Sequence, residues 1–258
     1  MDASQKPCSS SVSTKCRDCA LKRICLPATL QDAELEGLEG IIKHNRRLSK
    51  QQHLYRANEP AQQLYALRSG SLKTYLTSHD GSELVTGFVF PGELIGLDAF
   101  GGERSHSHAM ALEPSLVCVI PVSQLEELVG SSALLRRTLL RSMSRELQIE
   151  QAHLRQNREN AGQRFVAFLL DLSARNRRRG LSASEFTLPM TRSEIGSYLG
   201  LTTETVSRLF TRYRQLGLIQ SNGRDIRLID MNALHLAHEG LPQPAGHWAA
   251  GQPSRMVG

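Results

Sequence analysis

The sequence predicts an α+β fold in which a Cys-rich segment and an antiparallel β-roll or jelly roll precede a long helix and a C-terminal winged helix-turn-helix. Between about 48 and 122, short apolar stretches alternate with turn signals about eleven residues apart, which is typical of such a roll. Helical periodicity follows Pro121, and two short helices joined through Gly200 precede a hairpin signal. The predicted units are a flexible Cys-rich tail, a roll, a long helix, a winged helix and a second flexible tail, at 1–29, 30–130, 131–158, 159–239 and 240–258.

Composition favours a globular protein with an anionic partner. The 258 residues, 40% of them hydrophobic, suffice for two small domains, and the formal net charge is +6. No apolar run approaches the roughly 20 residues that span a bilayer, and the N-terminus lacks the apolar region of a secretory signal. We therefore expect a cytoplasmic protein without membrane contact, whose five cysteines are reduced and serve as metal ligands more readily than as disulfides.

Cysteines near the N-terminus have the spacing of metal ligands. Cys16, Cys19 and Cys25 are separated by two and then five residues, and Cys118 is a fourth candidate almost a hundred residues away. Thiolates hold zinc as readily as iron and sulfur, so the spacing leaves both open. If Cys118 completes the set, the bound group ties the tail to the roll, whereas Cys8 lies outside the spacing.

The elements of the first half follow from their periodicity. Apolar residues at helical spacing predict an amphipathic helix within 30–43. The predicted strands are apolar stretches bounded by turn signals at Gly70, Asp80-Gly81 and Pro91-Gly92. They are Leu64 to Leu67, Leu72 to Leu76, Leu84 to Phe90 and Leu116 to Ile120.

The long helix carries a narrow apolar seam and is broken only weakly near Gly130. The seam residues step by three and four positions and are Leu140, Met143, Leu147, Glu150 and Leu154. Such a heptad seam predicts pairing with a second copy, although a helix packed on its own roll has a similar pattern. Glu150 would face its own twin across a two-fold axis, where like charge and desolvation weaken the contact. We therefore expect a marginal homodimer that another interaction must stabilise.

A further helix is predicted to begin at Asn160, with Gln163 completing a capping box. It ends in a basic cluster, Arg175 and 177–179, followed by Gly180 as a stop signal. Basic residues suit the negative end of the helix dipole, so we expect this cluster to be solvated rather than to contact phosphate.

The next segment predicts a winged helix. Two short helices, 191–198 and 202–215, are joined through Gly200, and each begins with threonines that can cap it. Directly afterwards, 218–229 reads as two strands around Ser221-Asn222-Gly223. This signal favours a type I′ hairpin with Asn and Gly at its centre.

The second helix carries candidate DNA-reading residues in its first turns. Glu204, Ser207 and Arg208 share one face, where they can accept from a cytosine amino group, contact a base or methyl edge, and donate to a guanine. The residues suited to phosphates, which bind without reading sequence, are Thr203, Arg212 and Arg214. An exposed ion pair between Glu204 and Arg208 is the alternative. Residues 191–228 include six Arg against three acidic residues, so positive charge lies where a duplex would.

Taken in chain order, a Cys-rich tail, a β-roll, a helix with a dimer seam and a winged helix resemble the FNR branch of the CRP/FNR transcription regulators. The stretches that carry the resemblance, which covers Cys16 to about Leu236, are CRDCALKRIC, LYALRSGSLKTY, TGFVFPGELIGLDAF, VCVIP and MTRSEIGSYLGLTTETVSRLF. The resemblance implies an oxygen-labile 4Fe-4S cluster held by Cys16, Cys19, Cys25 and Cys118. It also implies a cluster-dependent homodimer whose Glu204, Ser207 and Arg208 read palindromic operators with TTGAT-like half-sites.

The resemblance implies further partners and a biological role. Such regulators contact RNA polymerase through loops of the roll, which would place one contact around Thr77 to Ser82. They activate, and sometimes repress, genes of anaerobic metabolism in response to oxygen. A regulator of this kind is not an enzyme, and the chain carries no flavin or nicotinamide fingerprint.

Other classes of protein stay open. A zinc-stapled or ligand-responsive regulator would keep the DNA element without sensing oxygen. The cyclic-nucleotide-binding relatives share the roll, and Arg104-Ser105 matches their phosphate-binding pair, but Leu97 stands where their ribose-binding Glu is expected. His106 and His108 lack a matched third metal ligand. An iron–sulfur electron carrier or redox enzyme is the remaining alternative.

Overall fold

The structure is a computed structural model that describes residues 15–42, 44–78, 80–156 and 159–241, except for the side chains of 29 and 152–156. Residues 1–14 of the first predicted tail, which include Cys8, and 242–258 of the second therefore lie outside the described residues, as do His79 and the side chain of Leu154. Within the described ranges, no helix is both long and apolar enough to cross a membrane.

Eight strands form the predicted roll. They are β1 (His44–Leu48), β2 (His53–Tyr55), β3 (Gln63–Ser69), β4 (Leu72–Thr77), β5 (Glu83–Val89), β6 (Leu94–Ile95), β7 (His108–Ala111) and β8 (Ser115–Pro121). They make two four-stranded antiparallel sheets, in the orders β1-β8-β3-β6 and β2-β7-β4-β5. Side chains from both sheets, such as Leu67 and Leu72, meet in a shared apolar interior. The predicted roll is confirmed.

Two strands of the roll have no apolar pattern that predicts them. β1 reads HNRRL, and β2 is only three residues long. Pairing holds each in place: β1 runs antiparallel to β8 from His44 opposite Val119 to Leu48 opposite Ser115. Because both strands lie at sheet edges, neighbouring strands rather than their own side chains determine their conformation.

Seven α-helices occur in the described residues. They are α1 (Asp32–Ile41), α2 (Val122–Ser131), α3 (Ala133–Gln156), α4 (Ala161–Arg178), α5 (Arg192–Leu199), α6 (Thr203–Gln215) and α7 (Met231–His238). The break in the helical stretch predicted near Gly130 is present two residues later, but it is complete rather than weak. Ser132, with φ −112° and ψ 109°, leaves the helical conformation and separates α2 from α3. Its hydroxyl accepts the Leu135 N–H at 3.1 Å and so begins α3.

The predicted capping box starts α4, since the Asn160 side chain accepts the Gln163 N–H at 3.0 Å. The expectation of a solvated basic end is wrong for Arg175. Its side chain is only 8% exposed, and its guanidinium donates to Asp171 at 2.7 Å and to the Phe88 carbonyl of β5 at 2.9 Å. The end of α4 packs against the roll, so tertiary burial outweighs the preference of Arg for solvent.

The winged helix completes the fold. β9 (Glu185–Thr187), β10 (Ile219–Asn222) and β11 (Asp225–Leu228) form a sheet in the order β10-β11-β9. The hairpin is confirmed, but its predicted turn is wrong. Asn222 stays in β10 and pairs with Asp225, so the two central residues are Gly223 and Arg224. Of these two, only Gly223 has a positive φ, 59°, whereas a type I′ turn requires two.

The winged helix and the roll share a continuous apolar core. The buried cluster around Phe165 of α4 and Ile195 of α5 extends to Val85, Phe88 and Phe90 of the roll. The two domains are therefore packed together along β5 rather than joined by a bare linker.

Candidate DNA-binding face and cysteine site

Glycines allow the two helices of the helix-turn-helix to approach closely. The Glu194 N–H donates to Thr191 Oγ1 at 3.2 Å in the capping box that starts α5, and Gly200 ends that helix with φ 63°. A Cβ atom on Gly196 would stand 2.7 Å from the carbonyl oxygen of Leu201, so only glycine permits this approach. Sequence reasoning identified Gly200 but missed Gly196, because no sequence signal shows where the next helix touches α5.

α6 presents the predicted recognition residues on its outer surface. Thr202 caps the helix by accepting the Thr205 N–H at 3.2 Å. Its buried residues, which face the domain core, are Val206, Leu209, Phe210 and Tyr213. Its exposed residues include Thr203, Glu204, Ser207, Arg208, Arg212 and Arg214. The structure thus brings every predicted DNA contact to one solvent-facing helix.

The alternative ion pair on α6 is not formed. None of the salt bridges among the described residues joins Glu204 to Arg208. Arg208 Nη2 instead donates to Thr205 Oγ1 at 3.4 Å, and Ser207 donates to the Thr203 carbonyl at 2.9 Å. Glu204 and Arg208 do not neutralise each other, so both keep hydrogen-bonding capacity for base edges.

The predicted metal ligands line one small cavity between the N-terminal loop and the roll. They are Cys16, Cys19, Cys25 and Cys118. Cys118 lies on β8 opposite Asn45 of β1, and its Sγ donates to Asn45 Oδ1 at 3.4 Å. The 16–25 loop covers it with tight turns, in which the Cys19 N–H donates to the Cys16 carbonyl at 3.1 Å. Residues a hundred positions apart in sequence therefore share one site.

Burial keeps the thiols of Cys16, Cys25 and Cys118 protonated. It raises the pKa of Cys16 to about 12, and the neighbouring Cys118 thiol adds to the rise. It also raises the pKa of Cys25 to about 12 and that of Cys118 above its ordinary value, although Arg68 opposes the latter shift. Since metals bind thiolates, loading this site must release protons.

The donor set fits a soft metal or an iron–sulfur cluster. Four sulfur atoms around one cavity are the ligands that both zinc and 4Fe-4S clusters take. Within the ranges that the structure describes, however, no three Cys, His, Asp or Glu side chains are close enough to hold a single metal ion. The thiols line a shared cavity without converging on one point, which is consistent with a site that the bound group completes.

The cysteine loop also contacts the long helix. Cys25 directly precedes a short 3-10 helix, Leu26–Thr29, which lies against α3. Leu26 is buried in the same apolar cluster as Cys16 and as Leu135 of α3. The cysteine loop and α3 therefore share one packed apolar cluster.

The remaining predicted site is the seam of α3. Leu140 and Leu147 are 60% and 64% exposed, and Met143 and Glu150 lie on the same side of the helix, half-buried and exposed. By contrast, Leu135 and Leu139 are buried, and Leu135 belongs to an apolar cluster with Leu64 and Ile120 of the roll. α3 therefore has separate inner and outer apolar surfaces, so packing on its own roll does not cover the seam.

Comparisons with known proteins agree with this architecture. A family model for the cyclic nucleotide-binding domain matches residues 45–132, and one for the Crp-like helix-turn-helix domain matches 163–237. The anaerobic regulatory protein of Pasteurella multocida is 44% identical over 220 residues, or 85% of this chain and 81% of that protein. The fumarate and nitrate reduction regulatory protein of Escherichia coli K12 is 41% identical over 90% of both chains.

The chain belongs to the CRP/FNR family. Among solved structures, FixK2 from Bradyrhizobium japonicum matches with a TM-score of 0.69 and 30% identity, over 74% of this chain and 94% of that one. This CRP/FNR protein is accordingly a transcription regulator rather than an enzyme, and its winged helix is a DNA-binding domain.

The roll of this CRP/FNR regulator keeps only part of the nucleotide-site pattern. Gly96 has φ 87° and is followed by Leu97, which has no group to hold a ribose. Arg104 is exposed and donates to the Asn58 carbonyl at 2.6 Å, as expected of a loop charge. His108 stacks on Tyr75 with ring centroids 4.7 Å apart, so its ring is occupied by packing.

Proposed function

We propose that this protein is an oxygen-sensing CRP/FNR regulator that holds a 4Fe-4S cluster through Cys16, Cys19, Cys25 and Cys118. The observation that supports it is the single cavity lined by these four thiols, beside the loop that packs on α3. When bound, such a cluster supplies an oxygen-reactive centre. The relatives that are named anaerobic regulatory proteins support the same function.

The chain's own residues convert ligation into dimer formation. With all four thiolates engaged, the 16–25 loop is tied to β8, and Leu26 is held in the apolar cluster that includes Leu135 of α3. Release of the loop removes this support from α3. The seam with Leu140 and Leu147 then depends on its own apolar contact, which Glu150 weakens by burying like charges at the two-fold axis.

DNA reading follows from dimerisation. Two copies of α6 must enter successive major grooves about 34–36 Å apart to engage a palindrome, which only a dimer can do. Glu204, Ser207 and Arg208 then read TTGAT-type half-sites, while Thr203 and Arg212 contact phosphates. RNA polymerase contacts the β4–β5 loop between Thr77 and Ser82, where the Ser82 hydroxyl donates to Asp80 at 2.7 Å.

Anaerobic purification followed by iron, sulfide and zinc analysis tests the proposed cofactor. We expect about four iron and four sulfide per chain, since a 4Fe-4S cluster with four cysteine ligands has that composition. Stoichiometric zinc without sulfide would overturn the proposal. A sample treated with chelator and reloaded with zinc provides the control for thiol capacity.

A zinc-stapled regulator is the second candidate, favoured by the donor set alone. Four thiolates complete a tetrahedral zinc site without any other ligand. Such a protein would bind operator DNA equally well in air and without oxygen, so the two candidates differ in a single comparison.

A further inference from the structure

The first helix of the DNA-binding domain is docked on an edge strand of the roll. β5 ends its sheet, and α5 lies beside it. Ser197 of α5 accepts the Val85 N–H at 2.9 Å and donates to the Glu83 carbonyl at 2.8 Å. One hydroxyl thus satisfies two backbone groups that an edge strand otherwise leaves to solvent.

A buried lysine lies at the centre of this contact. Lys73 projects from β4 with its side chain only 4% exposed, and its Nζ lies 2.5 Å from Glu83 and 3.1 Å from Glu194 of α5. Burial lowers the pKa of Lys73, but the hydrogen bonds to Glu83 and Glu194 outweigh it and raise the pKa above its ordinary value. The ammonium group therefore stays charged and links the roll to the helix.

The same glutamate starts α5. The second carboxylate oxygen of Glu194 accepts the Thr191 N–H at 2.7 Å, while the first faces Lys73. Lys73 therefore binds α5 at its N-terminal turn. Because a buried charge left without its partner is costly, the orientation that keeps the pair intact is strongly preferred.

Apolar contacts flank the ion pair without fixing its geometry. Phe88 of β5 packs on Tyr198 of α5 and Phe168 of α4, with ring centroids 5.1 and 6.1 Å away. Arg175 adds a hydrogen bond to the Phe88 carbonyl. Ring contacts tolerate small rotations, whereas the hydrogen bonds of Ser197 and Arg175 and the two oxygens around Lys73 Nζ each define a direction.

We propose that Lys73 is a positioning residue for DNA recognition. Through Glu194 it fixes the orientation of α6 relative to the roll. The close approach of α5 to α6 at Gly196 makes the two helices move as one unit, so an α5 held at Glu194 holds Glu204, Ser207 and Arg208 as well. A palindromic operator needs two recognition helices at one fixed separation. Lys73 thereby determines which spacing between half-sites the dimer accepts, whatever metal the cysteines hold.

The test compares Lys73→Met, Lys73→Arg and Glu194→Gln in the full-length chain purified without oxygen. Gln at 194 keeps the capping function but loses the ion pair. Glu185→Gln is the matched control, because it removes an exposed pair with Arg227 in the same domain. The probes are an operator duplex selected by the wild-type protein from a random pool, and the same duplex with one base pair added between the half-sites.

Wild-type protein and Glu185→Gln are expected to discriminate strongly between the two duplexes. Lys73→Met and Glu194→Gln should reduce the ratio of the two duplex affinities about tenfold. Lys73→Arg keeps the positive charge and should retain most of the wild-type ratio. Partial unfolding lowers the fraction of active protein and weakens binding to both duplexes equally, so it leaves the ratio of affinities unchanged. An unchanged ratio in Lys73→Met and in Glu194→Gln overturns the proposal.

Discussion

The DNA-binding face and the cysteine site are built in opposite ways. The face lies within 191–228, where helix caps, a glycine turn and a hairpin each form from neighbouring residues. The cysteine site joins a loop at 16–25 to a strand residue at 118, and its thiols line a cavity without converging. The DNA-binding element is therefore complete from local sequence, whereas the cysteine site depends on what it binds.

The largest expected effect comes from removing the one distant ligand. Cys118→Ser should abolish iron retention and lower operator affinity at least about a hundredfold, because a single half-site contact contributes far less than two. Iron analysis and DNA titration of anaerobic samples measure both. Cys8→Ser, which lies outside the ligand spacing, is the control. If the Cys118→Ser protein retained its iron, the assignment of the fourth ligand would be wrong.

The protonated thiols predict a steep pH dependence of metal loading. With the pKa of Cys16 and Cys25 at about 12, each ligand formed at neutral pH releases a proton. Apparent Co²⁺ affinity of the metal-free protein should therefore rise about a hundredfold per pH unit if two protons are released. Titration by charge-transfer absorption between pH 6 and 8 checks this. An affinity independent of pH would mean that the thiols are already ionised.

The DNA face should separate into residues that read bases and residues that contact phosphates. Arg208→Ala is expected to cost about 1–3 kcal/mol on the preferred operator and to relax selectivity at one base pair. Arg214→Ala should weaken binding to all operator sequences alike. It should also reduce the slope of log affinity against log salt concentration by about one. Titrations over a set of single-base operator variants at two salt concentrations distinguish the two. Equal patterns for both variants would contradict the division.

A smaller effect concerns the contact between α5 and α6. Gly196→Ala places a Cβ 2.7 Å from the Leu201 carbonyl and should destabilise the domain by about 1–3 kcal/mol. Gly130→Ala in α2 is the control, because nothing lies within 4 Å of its added Cβ and alanine favours a helix. Urea unfolding measures both. A Gly196→Ala protein as stable as Gly130→Ala would rule out the close approach.

The smallest expected change tests the role of Glu150. In protein stripped of metal, Glu150→Leu should lower the dimer dissociation constant about tenfold, since an apolar residue replaces a like-charge contact in the seam. Glu127→Leu, at an exposed site on α2, is the matched control. Sedimentation of both proteins in air gives the result. Equal dissociation constants for Glu150→Leu and Glu127→Leu would show that Glu150 does not weaken the dimer.

The contrast also explains which parts of the structure the sequence could predict. α6, its cap and the hairpin follow from patterns that lie within a few residues of each other. The polar strands β1 and β9 were missed because only their partners make them strands. Periodicity does not predict the burial of Arg175 and Lys73, because that burial depends on distant contacts. It also does not predict the complete break at Ser132 or the turn at Gly223, because each depends on a shift of one or two residues.

The cysteine set was visible in the spacing, but its cavity was not. Only the fold shows that Cys118 lies under the 16–25 loop and that Leu26 packs the end of this loop into the apolar cluster that includes α3. Whether these thiols control DNA binding is decided by titrating operator DNA with one anaerobic sample before and after exposure to air, with iron and sulfide counted in both. The account predicts that operator affinity falls in step with the loss of iron and sulfide. Unchanged affinity after both are lost would contradict it.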